Sequence, residues 1–198
     1  MAESLQKIIR YVGKHGIVRP RDIEAIGLPR EYLVRLHRKG KLNRPSRGIY
    51  TLPGANVTER HSYAEVAKRV PEGAICLLSA LAFHEMTTQS PASVWIALRK
   101  GARTPALVSP SLRIVRLSGA SLTRGIEDHT IEGVQVRVYS AAKTVADCFK
   151  FRNKIGLDVA IEALKDCLRQ KKANVSEIYR YAKVCRVSNV IRPYMEAL

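Results

Sequence analysis

The sequence predicts a mixed α/β chain of the α+β kind in two parts, and three observations lead there. Three short helix-patterned stretches and a basic hairpin fill the first 54 residues. From residue 58 onward strand-like apolar runs are interspersed with helical ones, and from Ala141 the pattern is mainly helical. The 198 residues are 46% hydrophobic and 26% charged, which suffices for a buried core. The expected domains are 1–54 and 55–198.

Leu5, Ile8, Ile9 and Val12 recur at i, i+3, i+4 and i+7, one stripe of an amphipathic helix over about 2–15, with Gly13 and Gly16 expected to end it. "RPRDIEAIG" predicts a second, short helix. Pro20 suits its first turn, Asp22 and Glu24 favour its positive end, and Gly27 closes it. A third helix is expected from Pro29 to Gly40, with Tyr32, Leu33 and Leu36 on its apolar side. Two short strands should flank "NRPSRG". Three helices, a Gly-containing turn between the last two, and a basic hairpin form a winged helix-turn-helix. "LPGANVTE", 52–59, predicts a linker.

Beyond it a helix is expected over about 58–70 and a strand near 74–77, then the apolar helix "SALAFHEM" and the strands "SVWIALR" and "SLRIVRL". "GIEDHTIEGVQVRVYS" predicts a hairpin turning at Glu132-Gly133. Four helical stretches follow: "AAKTVADCFKFR", "GLDVAIEALKDCLRQKK", "VSEIYRYAKVCRV" and "NVIRPYMEAL".

Charge points to the partner. Lys and Arg number 34 against 17 Asp and Glu, a formal +17, and an excess of that size favours polyanions. Residues 1–54 hold 12 Lys/Arg and 4 Asp/Glu, so contact with nucleic acid should concentrate there. With Leu33 and Leu36 turned inward, Arg30, Val34 and Arg35 are expected at base edges, and Arg38, Lys39 and Lys41 on the backbone. In the wing, Arg44 and Arg47 bracket Pro45-Ser46 and suit a minor groove or flanking phosphates. Arg19 and Arg21 open the second helix, whose amide end also favours a phosphate.

Other chemistries lack their residues. Cys76, Cys148, Cys167 and Cys185 have no paired or metal-like spacing and are expected as core filler. His15, His37, His61, His84 and His129 are scattered, so neither a metal nor a cofactor is expected. Ser79 lacks the glycines of a nucleophile elbow and is expected as a helix N-cap. The alternative from another class is a nuclease with a winged-helix targeting domain. Its metal would fall to Glu127, Asp128 and Glu132, but no Asp-x-Lys or Glu-x-Lys occurs, and the chain is expected to be no enzyme. The start carries no signal-peptide pattern, and no apolar run approaches the ~20 residues of a membrane span. The expected location is the cytoplasm, without membrane contact.

The order of parts carries a resemblance. "GLPREYLVRLHRKGKLNRPSRGIYTLP" is followed by "ICLLSALAFHEMTTQSPASVWIALRKGAR", "LRIVRLSG", "EGVQVRVYSAAKTVADCFKFRNKIGLDVAIEAL" and "VIRPYMEAL". This resembles, over nearly the whole chain, the AbiEi antitoxins and transcriptional regulators of AbiE-type (type IV, abortive infection) toxin–antitoxin systems of bacteria, a form of phage defence. The resemblance implies a repressor that binds inverted repeats in its own promoter, and monomers could occupy the two half-sites cooperatively without a preformed dimer. It also implies a nucleotidyltransferase-like toxin as functional partner, neutralised without a stable complex. Its DNA-binding elements carry over to the third helix (Arg30, Arg35, Arg38) and the wing (Arg44, Arg47). Neutralisation residues are not assigned; basic groups at Lys150, Arg152 and Lys154, or Arg169, Lys171 and Lys172, are the ones to consider.

Overall fold

The computed structural model describes residues 2–55, 58–107 and 109–197. By their contacts these form two compact units, residues 1–71 with 129–136, and residues 72–128 with 137–198. Of the expected linker, residues 56 and 57 lie outside the described ones.

The first unit begins with α1 (Ala2–His15), α2 (Pro20–Glu24) and α3 (Glu31–Arg38), followed by β1 (Asn43–Ser46) and β2 (Ile49–Thr51). Gly13 lies inside α1, whereas Gly16, at φ +63, ends it. α2 closes on a left-handed Gly27 with the Leu28 N–H donating to the Ile23 carbonyl at 3.1 Å. α3 closes the same way, Gly40 at φ +67 and Lys41 N–H on the Leu36 carbonyl at 2.9 Å. Ile8, Val12, Val18, Ile23, Leu33, Leu36, Leu42 and Tyr50 form one core cluster. Val18 pairs with Tyr50 in an isolated antiparallel bridge, tying the α1–α2 connection to the wing. α4 (His61–Arg69) completes this unit, together with the tip of a later hairpin.

The second unit carries β3 (Ala74–Ile75), α5 (Leu77–Phe83), β4 (Val94–Arg99), β5 (Leu112–Leu117) and α6 (Ala120–Thr123). Then come β6 (Ile126–Ile131) and β7 (Val134–Tyr139), whose tip, 129–136, falls in the first unit, and α7 (Ala141–Lys150), α8 (Arg152–Ile155), α9 (Leu157–Arg169), α10 (Val175–Cys185) and α11 (Ser188–Glu196). The sheet order is β5-β4-β3-β7-β6, with β3–β4 antiparallel and β3–β7 and β4–β5 parallel. Helix α7 is buried from Ala141 to Phe149 and packs against α5, α9 and α10. The β6–β7 turn is the expected one, with both Glu132 and Gly133 at positive φ. Ser79 is not an N-cap: Cys76 holds that position, and the Ser79 hydroxyl, fully buried within α5, accepts from the Trp95 backbone N–H at 2.9 Å.

Candidate nucleic-acid interface

The register of α3 follows from two leucines. Leu33 and Leu36 are 0% and 2% exposed, and at 100° per residue that turns Glu31, Val34, Arg35 and Arg38 outward. All four are exposed, and Val34, at 39%, is among the few exposed large apolar side chains. Lys39 is the C-cap, and Lys41 is exposed on the turn that follows. His37 Nδ1 lies 3.0 Å from the Leu42 carbonyl, fixing that turn. Arg30, at the N-cap position, sits 3.5 Å from Glu31 and 3.9 Å from Glu24. These are exposed pairs of little energy that leave its guanidinium able to swing.

In the wing, Arg44 and Arg47 are exposed, and Arg44 lies over the Tyr50 ring at 5.8 Å. Gly48, at φ +77, supplies the left-handed residue of the turn. Thus Arg30, Val34, Arg35, Arg38, Lys39, Lys41, Arg44 and Arg47 occupy exposed positions along α3, the following turn and the wing.

Arg19 and Arg21 separate. Arg21 is exposed. Arg19 is engaged within the protein: its backbone N–H and guanidinium donate to Asp22 at 2.8 and 3.2 Å, and its side chain is only 17% exposed. Asp22 also pairs with Lys68 of α4 at 3.0 Å. Burial pushes the Asp22 carboxyl up, but the bonds from Arg19 and Lys68 outweigh it and hold the group below its ordinary 3.8. Arg19 therefore sits at the N-cap position of α2, its backbone N–H and guanidinium both held by the Asp22 carboxylate, rather than reaching outward. No local pattern announces this, because an Arg before Pro reads equally well as a phosphate ligand.

The acidic hairpin is also put to structural use. Glu132 accepts from the Thr58 backbone N–H at 2.7 Å and the Thr58 hydroxyl at 2.9 Å, and faces His61 at 2.6 Å. Among the described residues no group of His, Cys, Asp and Glu is arranged to hold a metal ion. In the second unit Lys150 reaches the Ser121 hydroxyl at 3.5 Å, Arg152 donates to the Phe149 carbonyl, Lys154 lies over Phe151 and Arg169 pairs with Asp166. Lys171 is exposed and Lys172 is 3.8 Å from Glu85. The four cysteines are free and buried.

A three-helix core, a helix-turn-helix and a two-stranded wing with a basic outer surface make a winged-helix domain. Residues 6–53 match the family model described as "Transcriptional regulator, AbiEi antitoxin". No curated protein matches the chain. Among solved structures, the Mycobacterium tuberculosis protein RV2827C is similar at 13% identity with a TM-score of 0.58, over 91% of this chain and 71% of that one. At that identity the likeness establishes a shared fold. No helix among the described residues is long and apolar enough to cross a membrane.

Proposed function

We propose that the protein is a non-enzymatic, sequence-specific DNA-binding repressor of its own operon and the antitoxin of an AbiE-type system. Residues 1–54 supply the DNA-binding domain and 55–198 the antitoxin domain, acting against a nucleotidyltransferase-like toxin. The observation that carries the DNA reading is the outward set Val34, Arg35 and Arg38, held by buried Leu33 and Leu36 inside a segment that matches a regulator family. Arg35 and Val34, one turn into α3, read base edges with Arg30. Arg38, Lys39, Lys41, Arg44, Arg47 and Arg21 hold phosphates. Monomers occupy the two halves of an inverted repeat cooperatively.

The test is a gel shift on a duplex spanning the gene's own promoter, against a scrambled duplex of equal length. Preference for the promoter supports the reading; equal affinity for both removes the sequence-specific part. Co-expression with the neighbouring gene, expected to encode a nucleotidyltransferase-like toxin, tests the antitoxin part, growth rescue being the expected result.

A further inference from the structure

The wing is a poor structure by itself. Its strands have four and three residues, and a lone two-stranded hairpin is marginal in water. β1 is exposed at Asn43, Arg44 and Pro45 and half-buried only at Ser46. That one residue is gripped by α4: the Ser46 hydroxyl donates to Glu65 Oε1, and Arg69 Nη2 donates to the Ser46 oxygen. Arg69 also donates to the Arg47 carbonyl at 3.3 Å, on the wing turn itself, and pairs with Glu65 at 2.8 Å. Glu65 is 6% exposed, and a carboxylate so buried needs its partners, which keeps the grip in one geometry. One turn of α4 thus engages both DNA-facing parts, Lys68 on the Asp22 of α2 and Glu65 with Arg69 on the wing.

We infer that Glu65 and Arg69 are positioning residues for the wing, holding Ser46 and the Arg47 carbonyl so that Arg44 and Arg47 meet the duplex together with α3. This rests on the DNA-binding reading and extends the binding apparatus past residue 53 into α4.

The experiment measures promoter-duplex affinity by fluorescence anisotropy for Ser46→Ala, Ser46→Thr and Arg69→Leu, alone and with Arg47→Ala. Ser46→Ala deletes one half-buried hydroxyl and spares the core, and a melting curve taken alongside confirms a folded variant. Affinity should fall about three- to tenfold for Ser46→Ala and return with Ser46→Thr, which keeps the hydroxyl. Arg47→Ala should cost less in the Ser46→Ala background than in the wild type, because an unheld wing has already lost that contact. Arg38→Ala should cost the same in both. A merely structural role would lower the melting temperature while the affinity losses simply add, and that outcome overturns the inference. Wild-type affinity in Ser46→Ala and Arg69→Leu overturns it too. If Arg35→Ala with Arg38→Ala also binds as the wild type, the DNA reading itself falls and the wing inference with it. If that pair weakens binding and Ser46→Ala does not, only the wing inference fails.

Discussion

His61 Nδ1 and Glu132 Oε2 lie 2.6 Å apart, although 71 residues separate them in the chain. Glu132 occupies a hairpin turn and His61 the first position of α4, and both belong to the winged-helix unit. Glu132→Ala leaves the Thr58 N–H and His61 without their acceptor. It should cost about 1–3 kcal/mol of unfolding free energy. A urea titration checks this, and an unchanged midpoint would show that the contact contributes nothing.

The same carboxylate gives the fold an acid dependence. Burial pushes Glu132 up, but hydrogen bonds from Thr58 and His61 prevail and hold it below its ordinary 4.5, as those from Arg19 and Lys68 do for Asp22 below 3.8. A depressed folded-state value means stability present above the unfolded value and lost as pH falls through the folded one. The urea midpoint should therefore fall between about pH 5 and pH 3, and fall less in Glu132→Gln with Asp22→Asn.

Gly16 offers a sharper test. Besides its φ of +63, a Cβ there would lie 1.7 Å from the Glu132 carbonyl oxygen, which cannot move without the hairpin turn. Gly16→Ala should destabilise by more than about 2 kcal/mol. Gly40→Ala, with the same backbone sign but no atom within 4 Å, should cost only the conformational strain, about 1 kcal/mol. Comparing their thermal midpoints separates close approach from backbone strain.

In the second unit Lys143 and Asp147 pair at 2.5 Å on α7 with side chains 0% and 1% exposed, and Cys185 Sγ donates to Asp147 at 3.2 Å. Burial outweighs the Lys143 charge at Asp147, whose carboxyl is pushed above the ordinary 3.8. Removing one partner strands the other, so Lys143→Met should destabilise by ~3–5 kcal/mol, whereas Lys143→Met with Asp147→Leu should recover much of that loss. Calorimetric melts of the two variants decide it.

Much of the winged-helix unit was readable because its cues are local. The stripe of Leu5, Ile8, Ile9 and Val12, the glycines after α2 and α3, and the Glu132-Gly133 turn each fix a few neighbouring residues. What escaped depends on distant partners. Nothing near Ser79 announces that its hydroxyl will receive the Trp95 amide, and Arg19 beside Pro20 does not reveal that Asp22 will bind it. The α4 side chains Glu65, Lys68 and Arg69 read as an ordinary charged helix face, and only the folded chain brings them to Ser46 and Asp22. A buried Lys143 is likewise invisible in "AAKTVADCF", since i,i+4 charge pairs are usually solvated.

The most direct measurement of the central proposal is the salt dependence of promoter-duplex binding for the wild type, Arg38→Ala and Arg35→Ala. Arg38→Ala should reduce the slope of log K against log salt by about 0.9 and weaken promoter and scrambled duplexes alike. Arg35→Ala should cost about 1–3 kcal/mol on the promoter and narrow its advantage over the scrambled sequence. Slopes and affinities equal to the wild type in both variants would contradict an α3 that lies on DNA.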